Sequence, residues 1–330
     1  MSDNYVSDTT RVFASSDVFF DHLKIDIQQA RKSVSIQCMS FEADKVGRKL
    51  IELLQSKPTI ERTLLIDSYS KYVVNDTFVF GPVGLLNINN TMRERLALNP
   101  LLREARASGI KIQFTNPMGF LLHKYPVRNH KKLVLIDDEI SYLGGLNFTE
   151  HNFRWTDLMI RHSNPGIAQA LKTSFEADLH GKEISPVQPI SDETTLFVLN
   201  GLKTRSAYQK LLSLISNAEK VVAISPYISY PLLDALAKVP DNTVILPERN
   251  NKAYIHLAHR LKRYKNINYE FAKGEMVHMK LLIIDDQTLL YGSSNFDTIS
   301  YLFEKEVILK NSDPKLVQQL KELAASLINH

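Results

Sequence analysis

The sequence predicts an α/β protein of two similar lobes, each a mixed β-sheet flanked by helices, related by a pseudo-twofold with a site at their interface. Three observations predict it. The stretch "RNHKKLVLIDDEISYLGGLN" (128–147) returns as "MVHMKLLIIDDQTLLYGSSN" (276–295), the same skeleton at the same internal spacing. Upstream, "ARKSVSIQCMSFEADKVGRKLIELL" (30–54) is matched by "AEKVVAISPYISYPLLDALAKV" (218–239). In each, an alanine and charged residues lead into a β-branched strand, an aromatic turn and an apolar-periodic helix. Third, "GIKIQF" (109–114) and "NINYEF" (266–271) are alternating strands ahead of the two motifs, so a whole half is duplicated.

The halves meet at "GKEISPVQPISDETT" (181–195), where Pro186 and Pro189 lie among polar residues in the composition of a connection. This places one lobe at 1–186 and the other at 187–330. The first half is the longer by about forty residues in this repeat alignment. The excess is expected near 68–100, around "SYSKYVVNDTFVFGPVGLLNINN", as an extra loop.

At 330 residues, with 44% hydrophobic content, the chain is long enough for two cores and too apolar for disorder. Cys38 is the sole cysteine, which excludes an intrachain disulfide and a multi-cysteine zinc site and fits a reducing compartment. The opening "MSDNYVSDTTRVF" lacks a basic region followed by an apolar run, and no stretch reaches the roughly 18 apolar residues of a membrane span. A cytoplasmic protein is expected, with room for peripheral contact at the inner face of the membrane. The net charge of +4 favours anionic partners without choosing between lipid and nucleic acid.

Strand alternation gives each motif a geometry. His130 and Lys132 share one parity, so imidazole and ammonium leave one face roughly 6 to 7 Å apart along the chain. His278 and Lys280 repeat this. "DDE" (137–139) and "DDQ" (285–287) supply turns, and the chain returns as the second strand of a hairpin. Gly144, Gly145 and Gly292 then allow a tight bend or a close approach, bringing Asn147 and Asn295 back toward the histidines. A single His-x-Lys at a strand start is an ordinary solvated edge. The joint recurrence of five residue types at identical offsets points instead to function.

These residues resemble the paired HKD motifs, H-x-K-x4-D-x6-G-[GS]-x-N, of the phospholipase D superfamily, matched at His130, Lys132, Asp137, Gly144, Gly145 and Asn147 and again at His278, Lys280, Asp285, Gly292, Ser293 and Asn295. "FTNP" (114–117), "WTDLMIR" (155–161), "GSSNFDTIS" and "EKEVIL" carry the likeness toward the cardiolipin synthase and phosphatidyltransferase branch, across most of 20–310. The first-half excess and the lack of preceding membrane helices depart from that pattern. The resemblance implies a phosphodiesterase or phosphatidyltransferase acting on phospholipids, with one histidine forming a phosphohistidine and the other serving as acid and then base. Lys132, Lys280, Asn147 and Asn295 would hold the non-bridging oxygens. Asp157 and Glu306 match the family's downstream acids that orient the imidazoles, while Asp137 and Asp285 read as structural. No metal and no cofactor is expected. The partners expected are a phospholipid substrate and an anionic membrane surface, with no obligate protein partner.

Other features are weaker. His256 and His259 in "HLAH" share a helix face without the glutamate of a metalloprotease. "RLKRYK" (260–265) reads as a solvated helical face, and Trp155 as buried support for the first motif. Lys124, Arg128 and Lys131 cluster near that motif, enough for a headgroup phosphate and thin for a polyanion. "TFVFGPVGLL" (77–86) offers Phe78, Phe80, Leu85 and Leu86 as lipid-contact candidates in a loop. A nuclease or other phosphodiesterase acting on nucleic acid is the alternative reading, and a non-catalytic binder stands third.

Overall fold

In the computed structural model, residues 10–78, 88–250, 252, 257, 264–274 and 276–328 are described, except for the side chains of 88–91. The duplication is visible strand by strand. The first sheet runs β1(Thr10–Phe13), β9(Met159–Ser163), β8(Ile140–Gly144), β7(Leu133–Ile136), β2(Ser33–Cys38), β3(Glu61–Asp67), β6(Lys111–Thr115). The second runs β11(Thr194–Asn200), β17(Lys305–Asn311), β16(Thr288–Gly292), β15(Leu281–Ile284), β12(Lys220–Ile224), β13(Asp241–Pro247), β14(Asn268–Ala272) in the corresponding order, with β10(Val187–Pro189) added beyond β11. Both are mixed: β2–β3–β6 and β12–β13–β14 are parallel, and the hairpins β7–β8 and β15–β16 are antiparallel. The proposed division at 186 falls just before β10.

Helices cover the sheets. In the first lobe these are α1(Ser16–Gln29), α2(Lys45–Gln55), α3(Ile88–Ala107), α4(Glu150–Phe153) and α5(Pro165–His180). In the second, among the described residues, they are α6(Arg205–Ser216), α7(Leu232–Leu236), α8(Thr298–Leu302) and α9(Pro314–Ser326). Local chemistry sets their ends. Asp44 caps α2 by accepting from the Gly47 N–H, and its apolar positions Val46, Leu50, Ile51 and Leu54 fall on one buried face. Asn164 and Asp313 cap α5 and α9, each followed by a proline whose missing N–H costs nothing there.

Alternation along the strands sorts side chains between cores. Val134 and Ile136 join the outer core of the first lobe with Phe19, Leu23 and Leu50; Leu282 and Ile284 do the same in the second with Leu211 and Leu236. The opposite parity, Leu133 and Leu135 with Leu281 and Ile283, meets in a third core shared by both sheets and filled by α5 and α9. The lobes therefore join through continuous apolar packing, which fixes whatever lies along their seam.

The described part of the first-half excess includes helix as well as loop. Residues 68–110 join β3 to β6 through a 3-10 turn (Ser68–Lys71), the two-residue strands β4(Val73–Val74) and β5(Thr77–Phe78), and α3, whereas 248–267 make the equivalent link in the second lobe. A further share lies in 116–129 ahead of His130, where 273–277 suffice ahead of His278.

Candidate active site

Both histidines lie just before their strands, on segments that pair across the seam. The His130 N–H donates to Lys305 O at 2.9 Å, and the Lys305 N–H donates to Arg128 O at 2.8 Å. By symmetry the His278 N–H donates to Thr156 O at 2.7 Å and the Thr156 N–H to Met276 O at 3.1 Å. Each motif is thus held by the other lobe, and regular strand begins only after each lysine.

The acids are crossed. Glu306, from the second lobe, accepts from His130 Nδ1 at 2.9 Å, while Asp157, from the first, accepts from His278 Nδ1 at 2.7 Å. Asp157 is 4% exposed and Glu306 0%, so neither is a surface carboxylate. With Nδ1 committed to a carboxylate, Nε2 of each ring is the atom left for chemistry. Glu306 also accepts from Ser300 Oγ at 3.0 Å and from Ser293 Oγ, and Asp157 from the Leu158 N–H at 2.8 Å.

Lys132 Nζ donates to His130 O at 2.6 Å. Lys280 Nζ donates to His278 O, lies 3.6 Å from Asp157 Oδ2 and stands 2.6 Å from His278 Nδ1. His278 Nδ1 cannot both give a proton to Asp157 and accept one from Lys280. The carboxylate takes it, because Lys280 has two other acceptors. Asn147 Oδ1 accepts from the Ser40 N–H at 3.0 Å, which orients its amide; Asn295 Oδ1 is buried with no partner among the described residues.

Burial dominates the electrostatics. It lowers His130 to about 3 and His278 to about 4, helped by the neighbouring ammonium of Lys132 or Lys280 respectively, so both rings are neutral at pH 7. Lys132 and Lys280 also act on the histidine of the opposite motif, which marks the two motifs as one electrostatic unit. Burial brings Lys132 down to about 7 and Lys280 to about 8, against the pull of Glu306 and Asp157 respectively. Burial pushes Asp157 up, but Lys280 and His278 overcome it and hold the carboxyl below its usual value. An arriving phosphate would find the two lysines and the two imidazoles of both motifs together.

The remaining motif residues do structural work. Asp137 Oδ1 and Oδ2 accept from the N–H groups of Arg31, Lys32 and Ser33 at 2.6 to 2.9 Å, and Asp285 from those of Glu219 and Lys220. Each aspartate sits at positive φ in its hairpin turn, tying that turn to the first strand of the repeat, β2 or β12. Gly144 and Gly292 are demanded by space, since a Cβ would come within 1.9 Å of Leu158 O or 2.1 Å of Val307 O. The next position differs between repeats. A Cβ on Gly145 would strike Asp157 Oδ1 at 2.3 Å and Lys280 Nζ at 2.8 Å, whereas Ser293 has room to donate to Glu306.

The profile of the family described as cardiolipin synthase, PLD-like domain, matches residues 23–179 and 211–328. The chain belongs to that family. Cardiolipin synthase A of Yersinia pseudotuberculosis serotype O:1b (strain IP 31758) is 27% identical over 247 residues, covering 64% of this chain and 50% of that protein, and the Yersinia pestis bv. Antiqua (strain Angola) protein matches equally. The chain spans about half the length of these curated relatives. Among solved structures, phosphatidylserine synthase of Haemophilus influenzae Rd KW20 has a TM-score of 0.73 at 13% identity, covering 98% of this chain and 87% of that one. Polyphosphate kinase of Porphyromonas gingivalis has 0.65 at 13%, covering 96% and 46%. At that identity the likeness is one of fold.

Several expectations change. Arg128 and Lys131 are not open to a headgroup: Arg128 is buried against Asp67 at 2.7 Å and Lys131 against Asp178 at 2.7 Å. Trp155 is half-buried with its ring 4.9 Å from that of His278, so it borders the site rather than merely supporting a motif. Phe78 is half-buried, edge-on to Tyr125 at 5.7 Å; Phe80, Leu85 and Leu86 lie outside the described residues, as do His256, His259 and 260–263. Glu304 is a further buried acid, beyond those expected from the sequence. It lies 3.1 Å from Ser300 Oγ and shares that one hydroxyl proton with Glu306, and with His130 and Glu306 it forms a buried group whose ligand atoms lie within 4.8 Å of one another, close enough to hold a cation. Strand parity was the available signal, since Glu304 and Glu306 share a face in "EKEVIL".

No helix among the described residues is long and apolar enough to cross a membrane.

Proposed function

We propose that this chain is a phospholipase D-type phosphatidyltransferase or phosphodiesterase of the cardiolipin synthase kind, acting on phospholipids through a covalent phosphohistidine. The crossed histidine–acid pairs carry the reading, because they leave two Nε2 atoms and two lysines around one place.

One neutral Nε2 attacks phosphorus as the bond to the leaving alcohol breaks, and the other imidazole, protonated once the anionic substrate is bound, gives its proton to the departing oxygen. That second ring then takes a proton from the acceptor hydroxyl, which attacks phosphorus and releases the first histidine. Lys132, Lys280 and the amides of Asn147 and Asn295 face the non-bridging oxygens throughout. Asp157 and Glu306 fix the tautomers and stabilise each imidazolium as it forms. An alcohol as acceptor makes the reaction a transfer, and water makes it hydrolysis. No step uses a metal or a cofactor.

Mass spectrometry of products from a phospholipid panel, with labelled single-stranded DNA beside it, tests the substrate class. Phospholipid products are expected. Efficient DNA cleavage with every phospholipid untouched would turn the reading to the nucleic-acid alternative. Alkaline quenching and peptide mapping should find phosphate on His130 or His278, and on neither in His130→Ala/His278→Ala. Each single alanine variant should abolish turnover, the double being little worse because the pair acts as a unit. Substantial activity in either single variant would sink the mechanism.

A further inference from the structure

The loop between β6 and His130, "NPMGFLLHKYPV" (116–127), is built to hold two apolar side chains in water. Phe120 and Leu121 are 82% and 84% exposed, the highest values among the exposed large hydrophobic residues. Their position is fixed by the loop's own bonds. The Leu122 N–H donates to Gly119 O, the Lys124 N–H to Met118 O at 2.9 Å and the Tyr125 N–H to Leu122 O at 2.8 Å, while Met118 is buried beneath. Leu121 and Leu122 adopt φ of 50° and 59°, a left-handed conformation unfavourable for leucine, and the His123 ring packs where a Cβ on Gly119 would stand. Arg128 clamps the base, donating to Asn116 O at 2.9 Å and Lys124 O at 2.6 Å while paired with Asp67. Only Arg128 and Asn129 separate the loop from His130, and Tyr125 at its foot packs on Phe78 and Tyr69.

We propose that residues 116–127 form a membrane-docking finger: Phe120 and Leu121 enter the acyl boundary of an anionic phospholipid bilayer, bringing the mouth of the site to its substrate. This rests on the phospholipid reading above. The loop contains no acidic residue, and His123 and Lys124 are exposed beside the tip, so an apolar point wears a basic collar, the pattern of an interfacial anchor. Two side chains are too few for a protein partner, whose specific interface takes roughly 800 Å² from each side. The second lobe has no counterpart, since 273–277 alone precede His278.

Cys38 is buried, so a cysteine introduced at position 121 can be labelled selectively with an environment-sensitive fluorophore. With vesicles of phosphatidylglycerol in phosphatidylcholine, emission from label on Leu121→Cys should rise and shift to the blue, while label on Ile25→Cys, exposed on α1, should not change. Phe120→Ser/Leu121→Ser should bind these vesicles roughly 30-fold or more weakly, by the loss of two buried apolar side chains. It should keep its thermal midpoint and its turnover of a monomeric short-chain phospholipid within twofold. The finger is refuted if the label at 121 stays in water while the protein sediments with vesicles, if the serine variant binds as wild type, or if the variant instead abolishes self-association of this chain. Insertion without turnover of any phospholipid would leave docking standing and overturn the functional reading; turnover with a silent label would do the reverse.

Discussion

Replacing Glu306 by glutamine tests the crossed arrangement with little change in shape. The carboxylate is fully buried and accepts from His130 Nδ1 at 2.9 Å, from Ser300 Oγ at 3.0 Å and from Ser293 Oγ. Glutamine keeps one carbonyl oxygen for the imidazole. Its amino group falls where Ser293 now donates, and Ser293 can turn its proton toward Val307 O, already 3.4 Å away. Folding is therefore largely preserved, with loss concentrated in chemistry. A hydrogen bond to a charged group contributes about 1.5–3 kcal/mol, and that charge is worth most when the imidazole becomes imidazolium. At 1.4 kcal/mol per decade, kcat should fall about 10- to 150-fold. Lys132 should also lose part of its ammonium character, since Glu306 is the chief group holding its proton against burial. The assay is headgroup release from a monomeric short-chain phospholipid across pH, with a thermal midpoint as control. A variant within twofold of wild-type kcat at an unchanged midpoint would refute the role given to Glu306.

Activity should survive a chelator, because the proposed steps run through imidazoles and ammonium groups; loss restored by a divalent ion would instead assign the His130–Glu304–Glu306 group to a metal. Burial of a neutral His278 contributes stability that is present above pH 6.5 and lost as pH falls toward about 4, since the unfolded chain takes up the proton first. Glu42, Glu304 and Asp67, raised by burial to about 7, 7 and 6, act in the opposite sense, so the difference in midpoint between wild type and His278→Asn is the measurement. That difference should shrink across the window, and a difference independent of pH would contradict the buried neutral ring. Arg128→Met strands Asp67 in the interior and should cost about 3–5 kcal/mol in urea unfolding, most of it recovered in Asp67→Asn/Arg128→Met; an additive double variant would deny the pairing.

The duplicated strand order and the hairpin turns at 137–139 and 285–287 were legible because each is a matter of local spacing and turn chemistry. The crossing of Asp157 and Glu306 was not, since sequence distance ties each acid to the motif just before it while the seam gives it to the other. The neutralisation of Arg128 by Asp67 and of Lys131 by Asp178 was hidden for the same reason: the partners are remote in the chain, and only folding shows which cations are already spoken for. The exposure of Phe120 and Leu121 has no signal in the sequence, since an apolar pair next to a strand is equally compatible with a core. Phe78, apolar and read into a loop by its glycine and proline neighbours, is left half-buried against Tyr125.

The exchange of acids also bears on how such a chain could begin. A single ancestral repeat folding alone would present a histidine whose orienting carboxylate pointed at nothing of its own. Two copies placed face to face would complete each other twice over, so a working ancestor of one repeat would be a symmetric dimer, and joining its ends would give the arrangement of this chain. Joined copies would be free to diverge, and the repeats do differ where Gly145 answers to Ser293. The same logic holds at the bench: fragments 1–186 and 187–330, each inert alone, should regain activity when mixed, because each supplies the acid the other lacks.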